Sequence, residues 1–132
     1  MSFIATDPKK FLGQSIGSGQ CVAFVQQATA AGITRTWKRG DPVRKANLPI
    51  GTAIATFDEN GRYANDTHGK SHAAIYMGQD AKGIQVLDQW VATHRNSDGS
   101  VTKKAVPVHA RTLAFNARPV PVDDGRNYYV VE

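Results

Sequence analysis

Two apolar runs, His72-Ala73-Ala74-Ile75-Tyr76-Met77 and Ile84-Gln85-Val86-Leu87-Asp88-Gln89-Trp90, are joined by Gly78-Gln79-Asp80-Ala81-Lys82-Gly83. Each run is short and suited to a pleated surface, and glycine and aspartate separate them, so the segment reads as a β-hairpin. Side chains alternate faces along a strand, which puts His72, Ala74 and Tyr76 on one face. Closure about Asp80 sets His72 opposite Asp88, a pairing that brings Cβ atoms to about 4.5–5.5 Å. In that register Gln89 points to the other face.

Moving outward, Thr52 to Phe57 is a further short β-branched and apolar run, and Tyr128 to Val131 reads as a terminal strand. Turns are expected at Glu59-Asn60-Gly61 and at Asn96-Ser97-Asp98-Gly99-Ser100, with polar loop from Tyr63 to Gly69. Upstream, Cys21, Phe24, Val25 and Ala28 recur at helical spacing, so Gln20 to Ala31 reads as an amphipathic helix. Ser18 is its expected N-cap and Gly32 its C′ residue. Ser2 to Gly17 is a lead-in, and Ile33 to Pro49 reads as irregular connection. A helix followed by an antiparallel sheet is an α+β order rather than the alternation of a parallel sheet. The 132 residues fit a single domain spanning 1–132.

The chain has one cysteine, which excludes an intrachain disulfide framework. The N-terminus lacks the apolar run of a signal peptide, and no stretch approaches a membrane span of about 18 apolar residues. Synthesis in the cytoplasm is expected, with delivery elsewhere requiring a dedicated export route. The net charge of +5 favours anionic partners (nucleic acid, acidic lipid or cell-wall polymer), although a generally solvated basic surface accounts for it as well. Its basic residues are scattered without interleaved aromatics, so nucleic acid is not an expected partner.

Cys21 falls in the first turn of the expected helix, where free N–H groups and the helix dipole stabilise a thiolate. Its own N–H is free to donate to an oxyanion. The same position also suits an inert buried thiol. Among four histidines, His72 is the best-placed base, because Asp88 on the facing strand can fix its tautomer. Gln20 and Gln14 are candidate second oxyanion donors, and Tyr63, Gln89 and Trp90 are candidate cleft or substrate residues. His94 and His109 fall in segments that read as loops. His68 and His72 stand four apart, but no helix aligns them and no zinc set completes them, so no metal is expected. No cofactor is called for.

Gly19-Gln20-Cys21-Val22-Ala23-Phe24-Val25 resembles the nucleophile helix of the NlpC and CHAP branches of the papain-like superfamily. His72-Ala73-Ala74-Ile75-Tyr76-Met77-Gly78 resembles their histidine-led strand, and Thr52 to Phe57 sits where they place the strand between the two. Asn127-Tyr128-Tyr129-Val130 is similar to the last strand of small type VI secretion amidase effectors. The resemblance implies a papain-like cysteine amidase that cuts peptide bonds in peptidoglycan stems or crosslinks through a thioester. It carries Cys21 and His72 over as nucleophile and base. At the third position it leaves Asp88 or Gln89, since these families use His, Asn, Gln or Glu there. It further implies a monomeric antibacterial effector with a cognate immunity protein, or a phage-type lysin module. A deamidase or acyltransferase acting on protein glutamine, and a non-catalytic wall-binding module, remain alternatives.

Overall fold

The computed structural model describes residues 2–65 and 71–132. Among the described residues there is one α-helix, α1, spanning Cys21–Ala28. The strands are β1 (Arg39–Pro42), β2 (Ala53–Thr56), β3 (Ala73–Gln79), β4 (Gly83–Arg95), β5 (Val101–Ala114) and β6 (Tyr128–Val131). They form one six-stranded sheet in the order β1-β6-β2-β3-β4-β5, and every pairing is antiparallel. The expected α+β architecture of one helix and an antiparallel sheet is what the chain adopts.

The sheet is apolar on both faces. On one, Ala53, Ala55, Ala73, Ile75 and Leu87 pack with Phe24 and Val25 of α1 and with Trp37. Three alanines in this layer let the helix lie close to the strands. The other face carries Ile54, Ala74, Tyr76, Ile84, Val86, Leu113 and Tyr128, and Leu48 and Phe115 pack against it. Alternation along β3 distributes neighbours to opposite layers, Ala73 and Ile75 to the first and Ala74 and Tyr76 to the second.

The helix is shorter than its periodicity suggested. At Thr29 the backbone turns extended, and its hydroxyl donates to the Val25 carbonyl at 2.8 Å. The Val25 carbonyl already accepts the Thr29 amide at 3.0 Å, and the Thr29 hydroxyl oxygen in turn accepts from the Ala31 amide at 3.1 Å, a local arrangement that competes with a further turn. Gln20, not Ser18, occupies the N-cap, and it makes no side-chain cap bond. Gly32 has a left-handed φ of 70° but lies three residues past the Thr29 C-cap, so it is not the C′ residue expected of it.

Two strands were not expected. Arg39-Gly40-Asp41-Pro42 has turn-like residues, yet it pairs with β6 as an edge strand, where a proline is tolerated. Val101 to Ala114 forms the long outer strand β5, so His109 lies in a strand opposite Asp88 rather than in a loop. His94 likewise belongs to β4, facing Thr102. Pro107 is accommodated because the β4–β5 register shifts there, between the Asp88–His109 and Trp90–Val106 pairs.

The hairpin between β3 and β4 turns later than expected, and its register corrects itself. The turn runs from Asp80 to Gly83, closed by a 3.0 Å bond from the Asp80 amide to the Gly83 carbonyl. Asp80 Oδ1 accepts from the Lys82 amide at 2.8 Å, holding the corner. This turn pairs Gln79 with Ile84 and Gly78 with Gln85. Continued unchanged, that register would put Gln89 on the face of His72. A β-bulge between Tyr76 and Gly78 inserts one residue, after which Tyr76 pairs Val86 and Ile75 pairs Leu87. The inserted residue flips the parity and places Asp88 on the face of Ala74, Tyr76 and His72. Gly78 meets the bulge with φ 146°, a value that L side chains rarely adopt. His72 and Asp88 are therefore diagonal neighbours rather than directly opposite ones.

Candidate active site

Asp88 and Gln89 are adjacent on β4, so their side chains leave the sheet on opposite faces. Each fixes one half of the site. Both are fully buried, where an unpaired polar group is costly.

On the helix face, the Gln89 amide brackets the segment ahead of α1. Its Oε1 accepts from the Ile16 amide at 2.8 Å. Its Nε2 donates to the carbonyls of Ile16 at 2.9 Å and Gln20 at 2.8 Å. Gly19 has φ 87°, and a Cβ there would meet Val91 at 3.2 Å and Ser15 Oγ at 3.4 Å. This close approach delivers Cys21, half-buried, as the first residue of α1. Gln89, on sequence grounds a candidate cleft or substrate residue and the alternative to Asp88 at the third position, has its donors and acceptor spent on backbone and takes no place in the cleft.

On the other face, Asp88 Oδ2 lies 2.7 Å from His72 Nε2. An ionised carboxylate only accepts, so Nε2 carries the proton and Nδ1 is left for the thiol. His72 itself precedes β3, with its amide donating to Thr56 Oγ1 at 3.0 Å. Arg111 from β5 reaches the same Asp88 oxygen, through Nε at 2.8 Å and Nη2 at 2.7 Å. Arg111 Nη1 is 3.3 Å from Asp123 Oδ1, and its guanidinium lies over the Trp90 ring at 4.9 Å.

These contacts set the protonation states. Burial pushes the Cys21 thiol up, but its hydrogen bond to His72 and the charge there outweigh burial, helped by the Tyr63 hydroxyl and the Ala73 amide. The thiol ends below its ordinary value. Burial alone would lower His72, whereas its bonds to Asp88 and Cys21 raise it to about 9. Asp88 is pushed up by burial but held below the usual carboxylate range by His72 and Arg111. The directions favour a thiolate–imidazolium pair over the neutral pair. Tyr63 Oη is 3.6 Å from Cys21 Sγ. Burial and the neighbouring sulfur raise its pKa far above the ordinary value, so it remains a donor to the thiolate.

A cleft of about 720 Å³ opens over this group, lined among others by Gln20, Cys21, Tyr63, His72, Trp90 and Arg111. Of the residues singled out from sequence, Cys21, His72, Gln20, Tyr63 and Trp90 thus come together here, with Asp88 buried directly behind. Trp90 meets His72 and His109 edge-on, at 6.4 and 4.9 Å between ring centroids. Gln14 does not join them: its side chain donates to the Lys10 carbonyl at 2.9 Å and its backbone holds Val108. His68 lies outside the described residues, and among those described no group of three or more His, Cys, Asp and Glu is placed to hold a metal.

Arg111 and Asp123 escaped the sequence reading. Alternation of Val106, Val108, Arg111 and Leu113 around a displaced proline was the available signal, and it is a weak one.

A family model described as domesticated amidase effector 2 matches residues 1–131. A protein of Ixodes scapularis named domesticated amidase effector 2 is 31% identical over 136 residues, covering 96% of this chain and 82% of that protein. A Salmonella typhi protein named type VI secretion amidase effector 2 is 47% identical over 72 residues. That match spans 54% of this chain and about half, 53%, of the relative's length. Among solved structures, type 6 secretion amidase effector 2 superposes with a TM-score of 0.75 at 30% identity, covering 98% of this chain and 93% of the other.

Proposed function

The chain belongs to the domesticated amidase effector 2 family, and on that premise we propose that it is a single-domain, papain-like cysteine amidase hydrolysing peptide bonds of bacterial peptidoglycan. One observation carries the chemistry. A half-buried cysteine at the start of a helix faces a histidine whose Nε2 is held at 2.7 Å by a fully buried carboxylate. Thiol, imidazole and orienting acid in that sequence are what nucleophilic catalysis by cysteine requires.

In the proposed reaction the Cys21 thiolate attacks the amide carbonyl carbon. The carbonyl oxygen becomes an oxyanion facing the Cys21 amide, which as the first residue of the helix has no intrahelical acceptor. Gln20, at the N-cap and on the cleft wall, is the candidate second donor. The His72 imidazolium gives its proton to the departing amine as the C–N bond breaks, leaving a thioester on Cys21. Neutral His72 then takes a proton from water, whose oxygen attacks the thioester. Collapse releases the acid and restores the thiolate–imidazolium pair. Asp88 keeps Nε2 protonated throughout, so that Nδ1 does the proton transfer. The Tyr63 hydroxyl, 3.6 Å from the sulfur, donates to the thiolate.

The family's effector names support delivery by a type VI secretion machine to act on the wall of a target cell. Among the described residues no helix is long and apolar enough to cross a membrane. An immunity protein would occupy the same cleft in the producing cell.

The test is digestion of purified peptidoglycan followed by mass spectrometry of the products. Hydrolysis adds one water per bond cut and exposes a new amine, identifying the bond. A gain of about one mass unit on glutamine without chain cleavage would replace this reading with deamidation. Tight binding without products would replace it with a wall-binding role.

A further inference from the structure

We propose that Arg111 is a positioning residue for the Cys21–His72 pair, acting through Asp88 rather than on substrate. The proposal rests on the cysteine-hydrolase reading above and adds a fourth side chain to it.

The geometry is specific. Asp88 Oδ2 accepts from His72 Nε2 at 2.7 Å and from Arg111 Nε at 2.8 Å, with Arg111 Nη2 in ion-pair contact at 2.7 Å and itself 3.5 Å from His72 Nε2. The second oxygen, Oδ1, is buried and has no hydrogen-bond partner among the described residues; His109 Nε2 stands 3.7 Å from it. The carboxylate is thus committed to one oxygen, and the guanidinium fork fixes which one faces His72. Arg111 is itself held at its far nitrogen by Asp123 and from above by the Trp90 ring. A chain of contacts runs Asp123–Arg111–Asp88–His72–Cys21.

Charge gives the reason for such a chain. The thiolate and imidazolium appear and disappear together during a proton transfer between them, so they leave the site's net charge unchanged. Asp88 is fully buried and stays ionised only if a cation accompanies it in every state. His72 is a cation in some states and neutral in others, including the thioester stage. Arg111 is charged in all of them. With Arg111 present the four groups sum to zero whether or not the pair is ionised. Without it the site carries an uncompensated negative charge that opposes the thiolate.

The only cysteine in the chain reports this directly. The rate of alkylation of Cys21 by iodoacetamide, followed between about pH 4 and about pH 10, gives the acid limb on which the thiolate forms. Arg111→Met is expected to move that limb up by about one unit, a roughly tenfold slower alkylation on the limb. Arg111→Lys returns the charge without the fork and is expected to recover most of the shift. A folded Arg111→Met protein whose limb coincides with the wild type overturns the proposal. Should that variant not fold, the Asp88→Asn, Arg111→Met double variant buries no charge and is compared with Asp88→Asn alone. Coinciding limbs support action through Asp88, and a further shift of about a unit between them refutes it. Alkylation needs no peptidoglycan. Failure to cut peptidoglycan would therefore remove the proposed function while leaving this result readable, and an unmoved limb would remove only the role of Arg111.

Discussion

Replacing Gln89 by alanine should destabilise the protein strongly while sparing the imidazole side of the site. The magnitude follows from the bonds lost. Three hydrogen bonds go, to the Ile16 amide, the Ile16 carbonyl and the Gln20 carbonyl, each contributing about 1 kcal/mol net. Two of the partners retain another bond, since the Ile16 carbonyl also accepts from Gly19 at 2.9 Å and the Gln20 carbonyl from Ala23 at 3.1 Å. The Ile16 amide is the one left alone. With the cavity left by a side chain that is fully buried, the total is about 3–4 kcal/mol. For a chain of this length that lowers Tm by roughly 10 °C. Calorimetry or urea denaturation of both proteins measures it. Because Gln89 aims the Cys21 segment but does not touch His72, the alkaline limb of activity should stay in place in the surviving folded protein. A Tm within about 2 °C of wild type would refute the bracket as a structural element, and a displaced alkaline limb would refute its separation from Asp88.

Further expectations concern the other face and the hairpin. Asp88→Asn should lower kcat by roughly 10²-fold or more and shift the alkaline limb downward, measured as kcat/KM against pH; an unchanged limb would mean Asp88 does not support the imidazolium. In the wild type, His72 sits at about 9 in the fold against an ordinary 6.5. Its contribution to stability is thus complete below 6.5 and disappears as pH rises through about 9. Turnover should fall through the same upper value, and a midpoint near the ordinary one would contradict the buried carboxylate contact. Gly78→Val should cost about 1–3 kcal/mol in denaturant unfolding, because the bulge needs a φ of 146°. Wild-type stability in that variant would show that the bulge does not depend on glycine.

The helix and the hairpin were legible because both bury an apolar face at a regular period. Cys21, Phe24, Val25 and Ala28 repeat at helical spacing, and the two runs of the hairpin are bounded by residues that favour a turn. The helix end was not legible, because a hydroxyl on Thr29 competes with the backbone and no periodicity reveals that. β1 was hidden by residues that ordinarily make turns and that the edge position tolerates. β5 was hidden by its charged, exposed first half and by Pro107. The face shared by His72 and Asp88 was read correctly from an inexact register: the turn lies later than Asp80, and the bulge at Gly78 restores the parity. Alternation by twos made the conclusion survive an error in pairing. Arg111 could not be reached the same way, since its contact with Asp88 depends on a strand that the sequence does not announce.

The most direct test of the central claim is turnover of purified peptidoglycan by Cys21→Ala beside the wild type, with both proteins shown to unfold at matching temperature. Alanine suits a helix and removes little besides the sulfur, so the fold should persist. The account predicts a loss of activity of at least about 10³-fold. Turnover within tenfold of wild type would contradict Cys21 as the nucleophile and with it the assignment of His72 and Asp88.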